Sequence, residues 1–130
     1  MRHKKESFAR NRIKSVGYAF KGALLLIKTE SSIKVQFSIA ILVTIAGFFF
    51  NISATEWMFQ ILAIALVLGI EGINTTIEEI ADFIHPEHHK KIGKIKDIAA
   101  GAVFIAAIFA IIIGLIIYIP KIFKILQTLG

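Results

Sequence analysis

Residues 71–82 read E-G-I-N-T-T-I-E-E-I-A-D and follow the apolar run 57–70 with no turn signal between them. Together the two stretches predict one helix, on which Glu78 and Asp82 fall within about 20° of Glu71. Three carboxylates then share one stripe, and the first of them lies at the edge of a predicted membrane span. A carboxylate at that depth is costly unless it is paired, hydrated or bound to a cation, so the stripe predicts a functional site.

The same stripe carries a carboxamide, because Asn74 projects about 60° to one side of Glu71. A solvated helix end would explain Glu79 and Glu87 well enough. It would not explain Glu71 and Asn74, which still lie in apolar sequence. We therefore interpret the stripe as functional rather than as a hydrated surface.

The composition indicates an integral membrane protein. The chain has 130 residues, of which 56% are hydrophobic, and its charges avoid three long segments. It contains no Cys, which excludes disulfides and thiolate metal sites. The net charge is +6, and the first 34 residues hold nine of the 15 Lys and Arg. Beside three apolar segments, this basic excess favours the cytoplasmic side of a membrane over nucleic-acid binding.

The hydropathy pattern predicts an all-α membrane protein with a single domain over residues 1–130. Residues 1–6 are polar and basic and are predicted to be disordered. An amphipathic surface helix is predicted next, because apolar and basic side chains there form separate stripes. The predicted helices are 8–28 at the membrane surface and 33–50, 57–82 and 98–119 across the membrane, the second extending into the cytoplasm.

The segments between the helices predict the orientation in the membrane. Residues 85–97 are predicted to be a polar loop with four lysines, and Pro120 is predicted to end the third span. The turn at 51–56 has no Lys or Arg. The positive-inside rule then places the N-terminus and the acidic helix in the cytoplasm; Lys121 and Lys124 argue against this but are outnumbered.

The residues predicted on the cytoplasmic side suit phosphoryl transfer. Carboxylates with an Asn and without Cys are oxygen ligands appropriate to Mg²⁺, and a Lys beside them suits phosphate. Glu71 is nearest the apolar zone and could take a proton from a hydroxyl held in the lipid. No Walker loop is present, because Gly17 and Gly22 lie on the predicted amphipathic helix rather than after a strand.

Two motifs in this sequence resemble the prokaryotic diacylglycerol kinase family, whose members are small three-span membrane kinases with an amphipathic surface helix. They read Glu71-x-x-Asn74-Thr-x-Ile-Glu78-x-x-x-Asp82 and Lys96-Asp97-x-Ala-Ala-Gly-Ala. The resemblance covers roughly residues 8–119, with matching order of elements. The loop His85-Pro86-Glu87-His88-His89 departs from the family's usual ending.

The resemblance implies a role for each matching residue. Glu71 would be the catalytic base, while Glu30 and Glu78 would bind Mg²⁺. Contacts to ATP would come from Tyr18, Asn74, Glu87, His89, Lys96 and Asp97. The resemblance also implies a homotrimer with active sites shared between protomers, located in the bacterial plasma membrane.

The segment that begins at Asp97 resembles the Gram-positive branch of the family, whose members favour undecaprenol over diacylglycerol. The expected reaction is therefore ATP-dependent phosphorylation of undecaprenol to undecaprenyl phosphate. A diacylglycerol kinase that makes phosphatidic acid is the alternative within the family. A small cation transporter subunit and a non-enzymatic membrane adaptor are more distant alternatives. A transporter would carry polar residues through the bilayer depth, and an adaptor would leave Glu71 and Asn74 unexplained.

Overall fold

A computed structural model describes residues 7–130, and over that range the chain is four α-helices without a strand. The predicted disordered segment, residues 1–6, lies outside the described residues. Three of the helices are long and apolar enough to cross a membrane. The prediction of an all-α protein with three potential spans is therefore confirmed. The helices are α1 (Phe8–Thr29), α2 (Ser31–Phe49), α3 (Ala54–Ile84) and α4 (Lys90–Leu129).

Helix α1 begins and ends with local backbone features. The Ser7 side chain accepts a hydrogen bond from the Arg10 backbone N–H at 3.3 Å, which satisfies one of the free donors of the first turn. At the other end Glu30 has extended backbone angles and separates α1 from α2. The last turns of α1 approach α3 closely, since a Cβ atom on Gly72 would lie 3.2 Å from Leu26 Cδ1.

A tight turn reverses the chain between α2 and α3. Asn51 has a positive φ of 51°, a conformation that asparagine tolerates better than most residues. Ser53 then caps α3 in a reciprocal capping box with Glu56. Beside this turn the Trp57 ring packs against Gly47, where a Cβ atom would lie 2.6 Å from the indole. Only glycine at this position lets α2 approach the tryptophan so closely.

A polar cluster ties the helices together near that turn. The Lys121 ammonium of α4 lies 2.6 Å from Glu56 Oε2 of α3. The Gln60 side chain, 5% exposed, donates to the Val43 carbonyl of α2 at 3.1 Å, and the Tyr118 hydroxyl donates to Gln60 Oε1. We call these five residues the distal cluster, because they lie at the opposite end of α3 from the acidic stripe.

The prediction that residues 85–97 form a loop is wrong for most of its length. Helix α4 already begins at Lys90, so that the connection is only five residues long. The His89 ring accepts a hydrogen bond from the Lys91 backbone N–H at 3.1 Å and caps the new helix. Lysine is a good helix former, and a polar first turn is no obstacle to a helix in water.

The prediction that Pro120 ends the third span is also wrong, because α4 continues through it to Leu129. Proline removes one backbone hydrogen bond and crowds the preceding turn. Membrane helices tolerate this where neighbouring groups support the helix. Here the next residue, Lys121, is held by Glu56 of α3, which supports the chain directly after the proline.

We predict that Gly47→Ala destabilises the protein by about 1–3 kcal/mol, because the added methyl group would overlap the Trp57 ring. Thermal unfolding in detergent micelles measures the effect. Gly69→Ala is the matched control, since a Cβ atom on Gly69 meets nothing within 4 Å. Equal melting temperatures for the two variants would contradict the close packing.

Candidate active site

Helix α3 presents the acidic stripe in a gradient of burial. Helix α3 is continuous over 31 residues, so that its apolar and acidic parts belong to one uninterrupted helix. Glu71 is only 6% exposed and Asn74 7%, whereas Glu78 is half-buried and Asp82 is exposed. The first carboxylate is therefore shielded from water and the last is solvated.

The hydrogen bonds around Asn74 are incomplete. Its Nδ2 donates to Glu78 Oε1 at 3.4 Å, one helical turn further along α3. The neighbouring Thr75 hydroxyl donates to the Glu71 carbonyl at 3.1 Å. Asn74 Oδ1 is buried and has no hydrogen-bond partner among the residues that the structure describes. A buried acceptor without a donor calls for a physical explanation.

Glu30 lies at the junction of α1 and α2 and is half-buried. Its backbone N–H donates to the Leu26 carbonyl at 3.1 Å. Its side chain makes no capping hydrogen bond to α2. Because Leu26 contacts α3 at Gly72, the junction lies on the side of α3 near Glu71.

A polar cavity of about 250 Å³ lies between the end of α3 and the start of α4. Lys96 lines it, and its ammonium is paired directly with the Asp82 carboxylate. The His85 and His89 rings also line it and pack edge to face, with centroids 5.1 Å apart. The cavity is lined by Asp82, His85, Pro86, Glu87, His88, His89, Ile92, Gly93 and Lys96.

This cavity brings together three of the six residues expected to contact ATP, namely Glu87, His89 and Lys96. Tyr18 is 69% exposed on α1, and Asp97 is exposed on α4; neither lines the cavity. Within residues 7–130, no three His, Cys, Asp or Glu side chains converge closely enough to hold a metal ion. The metal roles of Glu30 and Glu78 stay predictions.

A second, apolar cavity of about 290 Å³ lies between α2, α3 and α4. Gln60 and Tyr118 of the distal cluster border one end of it. Val67 and Leu68 border it on α3, one helical turn before Glu71. The apolar cavity therefore extends along the spans towards the buried carboxylate. On α4 its wall consists of Ala107, Ala110, Ile111, Ile113, Gly114, Ile117 and Tyr118.

Comparison with known proteins decides the family. Residues 17–118 match the family model described as "Prokaryotic diacylglycerol kinase". The chain belongs to the prokaryotic diacylglycerol kinase family. Its members are lipid kinases by name, and the matched segment contains the acidic stripe and every residue that lines the polar and apolar cavities. This confirms the resemblance drawn from the two motifs.

Individual relatives carry two different names within that family. The chain is 38% identical over 108 residues to "Undecaprenol kinase" of Bacillus subtilis, covering 83% of this chain and 88% of the relative. It is 30% identical over 100 residues to "Diacylglycerol kinase" of Escherichia coli, covering 77% and 82%. A "Diacylglycerol kinase" of Synechocystis is 29% identical over 119 residues, covering 91% and 68%.

Two pairs of interacting side chains could not be predicted from the sequence, because each pair joins residues on different helices. Asp82 was seen only as part of the stripe, and its partner Lys96 lies 14 positions away. Gln60 and Tyr118 are 58 positions apart and are isolated polar residues in apolar runs. A polar side chain deep within a span is itself the available signal, since membrane interiors require it to find a partner.

We predict that Asp82→Asn changes the free energy of unfolding by less than about 1 kcal/mol, because an exposed ion pair contributes little to stability. Thermal unfolding in micelles checks this, with Glu79→Gln as a control for loss of one exposed acid from the same helix. A much larger loss of unfolding free energy for Asp82→Asn would contradict this and would mean that the pair of Asp82 and Lys96 is needed to hold α3 and α4 together.

Proposed function

We propose that this protein transfers the γ-phosphoryl group of ATP to the terminal hydroxyl of undecaprenol. The observation that carries the proposal is the position of Glu71, a buried carboxylate one helical turn beyond an apolar cavity. The relative named for undecaprenol is more similar to this chain than the Escherichia coli relative named for diacylglycerol. Diacylglycerol is the alternative acceptor.

In the proposed reaction Glu71 accepts the hydroxyl proton as general base. The hydroxyl oxygen forms a bond to the γ-phosphorus, the bond between that phosphorus and the bridging oxygen breaks, and ADP leaves with the electron pair. Burial of Glu71 keeps bulk water away from the reacting hydroxyl. Catalysis then rests on positioning and electrostatics, with no phosphorylated enzyme intermediate.

The donor set around the stripe fits a hard divalent cation such as Mg²⁺. The chain has no Cys, and beside Glu78 it holds a buried carbonyl oxygen, Asn74 Oδ1, with no partner. Oxygen donors of this kind are what Mg²⁺ prefers. We propose that Glu30 and Glu78 hold the ion, which would offset the charge of the ATP phosphates.

We assign the polar cavity to ATP. Lys96 would contribute positive charge to the phosphates, and Asp82 would keep its ammonium at the cavity until ATP enters. Glu87 and His89 offer further polar contacts. Asp97 would orient the nucleotide or Lys96. Tyr18 is assigned to a nucleotide contact on the resemblance alone. The resemblance implies the same contact for Asn74, but Asn74 does not line this cavity.

We further infer a bacterial plasma-membrane protein with its N-terminus and active site in the cytoplasm. Helix α1, which has no buried residue, would lie in the membrane interface with its lysines at the phosphate level. A homotrimer with shared sites follows from the family resemblance and is testable by chemical cross-linking.

We predict that Glu71→Gln lowers phosphate transfer at least about 100-fold, because the amide cannot accept the proton. The assay follows radiolabel from Mg-ATP into undecaprenol and diacylglycerol, offered separately in mixed micelles. Glu79→Gln, which removes an exposed acid from the same helix, should retain activity.

The rates at which the two lipids are labelled show which of them is the preferred acceptor. Faster labelling of undecaprenol supports the proposal as stated. Faster labelling of diacylglycerol would overturn the acceptor but leave the role of Glu71 in place. No label in either lipid, from correctly folded wild-type protein, would overturn the proposed activity itself.

We predict that Gly114→Leu raises the KM for undecaprenol more than the KM for a short prenol. Gly114 lines the apolar cavity, and a Cβ atom there meets nothing within 4 Å, so that a larger side chain would occupy the cavity. Gly69→Leu is the control, because Gly69 has similar free space but does not line the cavity. Equal effects on both prenols would show that the lipid chain lies elsewhere.

A further inference from the structure

Asn74 Oδ1 is a buried acceptor whose hydrogen bonding is unexplained within the chain. The residue is 7% exposed, and the oxygen has no partner in the described range 7–130. Leaving such a group unsatisfied is unfavourable, because the loss of its hydrogen bonds to water is not compensated. The neighbouring Thr75 and Thr76 do not share the problem, because their hydroxyls donate to the Glu71 and Gly72 carbonyls. The unsatisfied oxygen is therefore specific to Asn74.

The orientation of the carboxamide is set by Glu78. Asn74 Nδ2 donates to Glu78 Oε1 at 3.4 Å. The reverse orientation would place two acceptor oxygens against each other, which is unfavourable. Oδ1 is consequently the atom of the carboxamide that is left without a hydrogen-bond donor. The second carboxylate oxygen of Glu78 also remains available, since the hydrogen bond uses only Oε1.

The chemistry of the site narrows what Oδ1 can accept. The Lys96 ammonium is engaged with Asp82 at the polar cavity. In the proposed reaction the single proton of the lipid hydroxyl goes to Glu71. An oxygen next to the carboxylates of Glu71 and Glu78 suits a divalent cation, because hard cations take carbonyl oxygens together with carboxylates. Since no three acids, histidines or cysteines converge within residues 7–130, a carboxamide oxygen would add the donor that the acids lack.

We propose that Asn74 Oδ1 is a direct ligand of the divalent cation that Glu78 also binds, rather than a contact to the nucleotide. The inference rests on the proposed function, which supplies the divalent cation, its binding by Glu78 and the transfer of the hydroxyl proton to Glu71. In this arrangement Nδ2 fixes the Glu78 carboxylate while Oδ1 faces the ion. The same side chain therefore orients one ligand and supplies another.

The first test measures Mn²⁺ binding to the full-length protein in micelles by electron paramagnetic resonance of the free ion. Asn74→Leu removes the oxygen and should weaken binding about tenfold or more, comparable to other changes at metal sites. Asn74→Asp keeps an oxygen and adds a negative charge, so it should bind Mn²⁺ at least as tightly as the wild type. Thr75→Val, a buried neighbour whose hydroxyl bonds its own helix, should bind normally.

The Asn74→Asp variant distinguishes a direct metal ligand from a residue that only positions Glu78. If Asn74 only holds Glu78 through Nδ2, Asn74→Asp loses that donor and repels Glu78, and its affinity for Mn²⁺ should fall as in Asn74→Leu. That result would overturn the proposal. Unchanged affinity in Asn74→Leu, or no Mn²⁺ binding by the wild type, would overturn it as well.

A second test does not depend on the folding of the Leu and Asp variants. The chain has no Cys, so Asn74→Cys introduces a single thiol. A thiolate ligand should bind Cd²⁺ and produce the ultraviolet cadmium–thiolate absorption band at one equivalent. Thr75→Cys is the matched control and should show no band. A band of equal strength in both, or in neither, would contradict the proposal.

Lipid phosphorylation by the wild type is measured in parallel so that two failures can be told apart. Transfer to lipid with normal Mn²⁺ binding by Asn74→Leu would reject the ligand role of Asn74 and leave the kinase proposal standing. Loss of Mn²⁺ binding in Asn74→Leu without any lipid phosphorylation by the wild type would support the ligand role and reject the kinase proposal.

Discussion

The structure depends on the burial of one carboxylate at the end of the apolar part of a long helix. Glu71 is 6% exposed and is preceded on α3 by an apolar run. At 1.5 Å per residue the 31 residues of α3 extend about 46 Å, more than the roughly 30 Å hydrocarbon layer. One end of the helix must therefore leave the membrane, and the buried carboxylate lies near the change of environment.

Sequence patterns predicted the elements whose signal is local. The apolar runs predicted three membrane helices, and the spacing along residues 57–82 predicted that Glu71, Asn74 and Glu78 share one helix, as they do in α3. Two motifs, both within α3 and the start of α4, were sufficient to recognise the family. These features depend on hydrophobic periodicity and on residue types at fixed offsets, both of which a single sequence displays.

The features that the sequence could not predict depend on contacts between helices. The pairing of Asp82 with Lys96 requires the angle at which α4 leaves the short loop, which no pattern specifies. Pro120 disfavours a helix, and no sequence pattern shows that α4 continues through it beside the ion pair between Lys121 and Glu56. Likewise, the sequence cannot show that Asn74 Oδ1 lacks a hydrogen-bond donor, because this depends on the burial of the atom and on its neighbours in space.

The distal cluster has a consequence for how the helices can move. It joins α2, α3 and α4 through one part-buried ion pair and the hydrogen bonds of Gln60, all near the α2–α3 turn. At the opposite end α3 and α4 are joined by the five-residue connection 85–89 and, beside it, by the pair of Asp82 and Lys96. The two helices are therefore held at both ends, by side chains at the distal cluster and by the chain itself at the polar cavity. A change in the shape of the polar cavity then falls to the connection and its side chains rather than to separation of the helices.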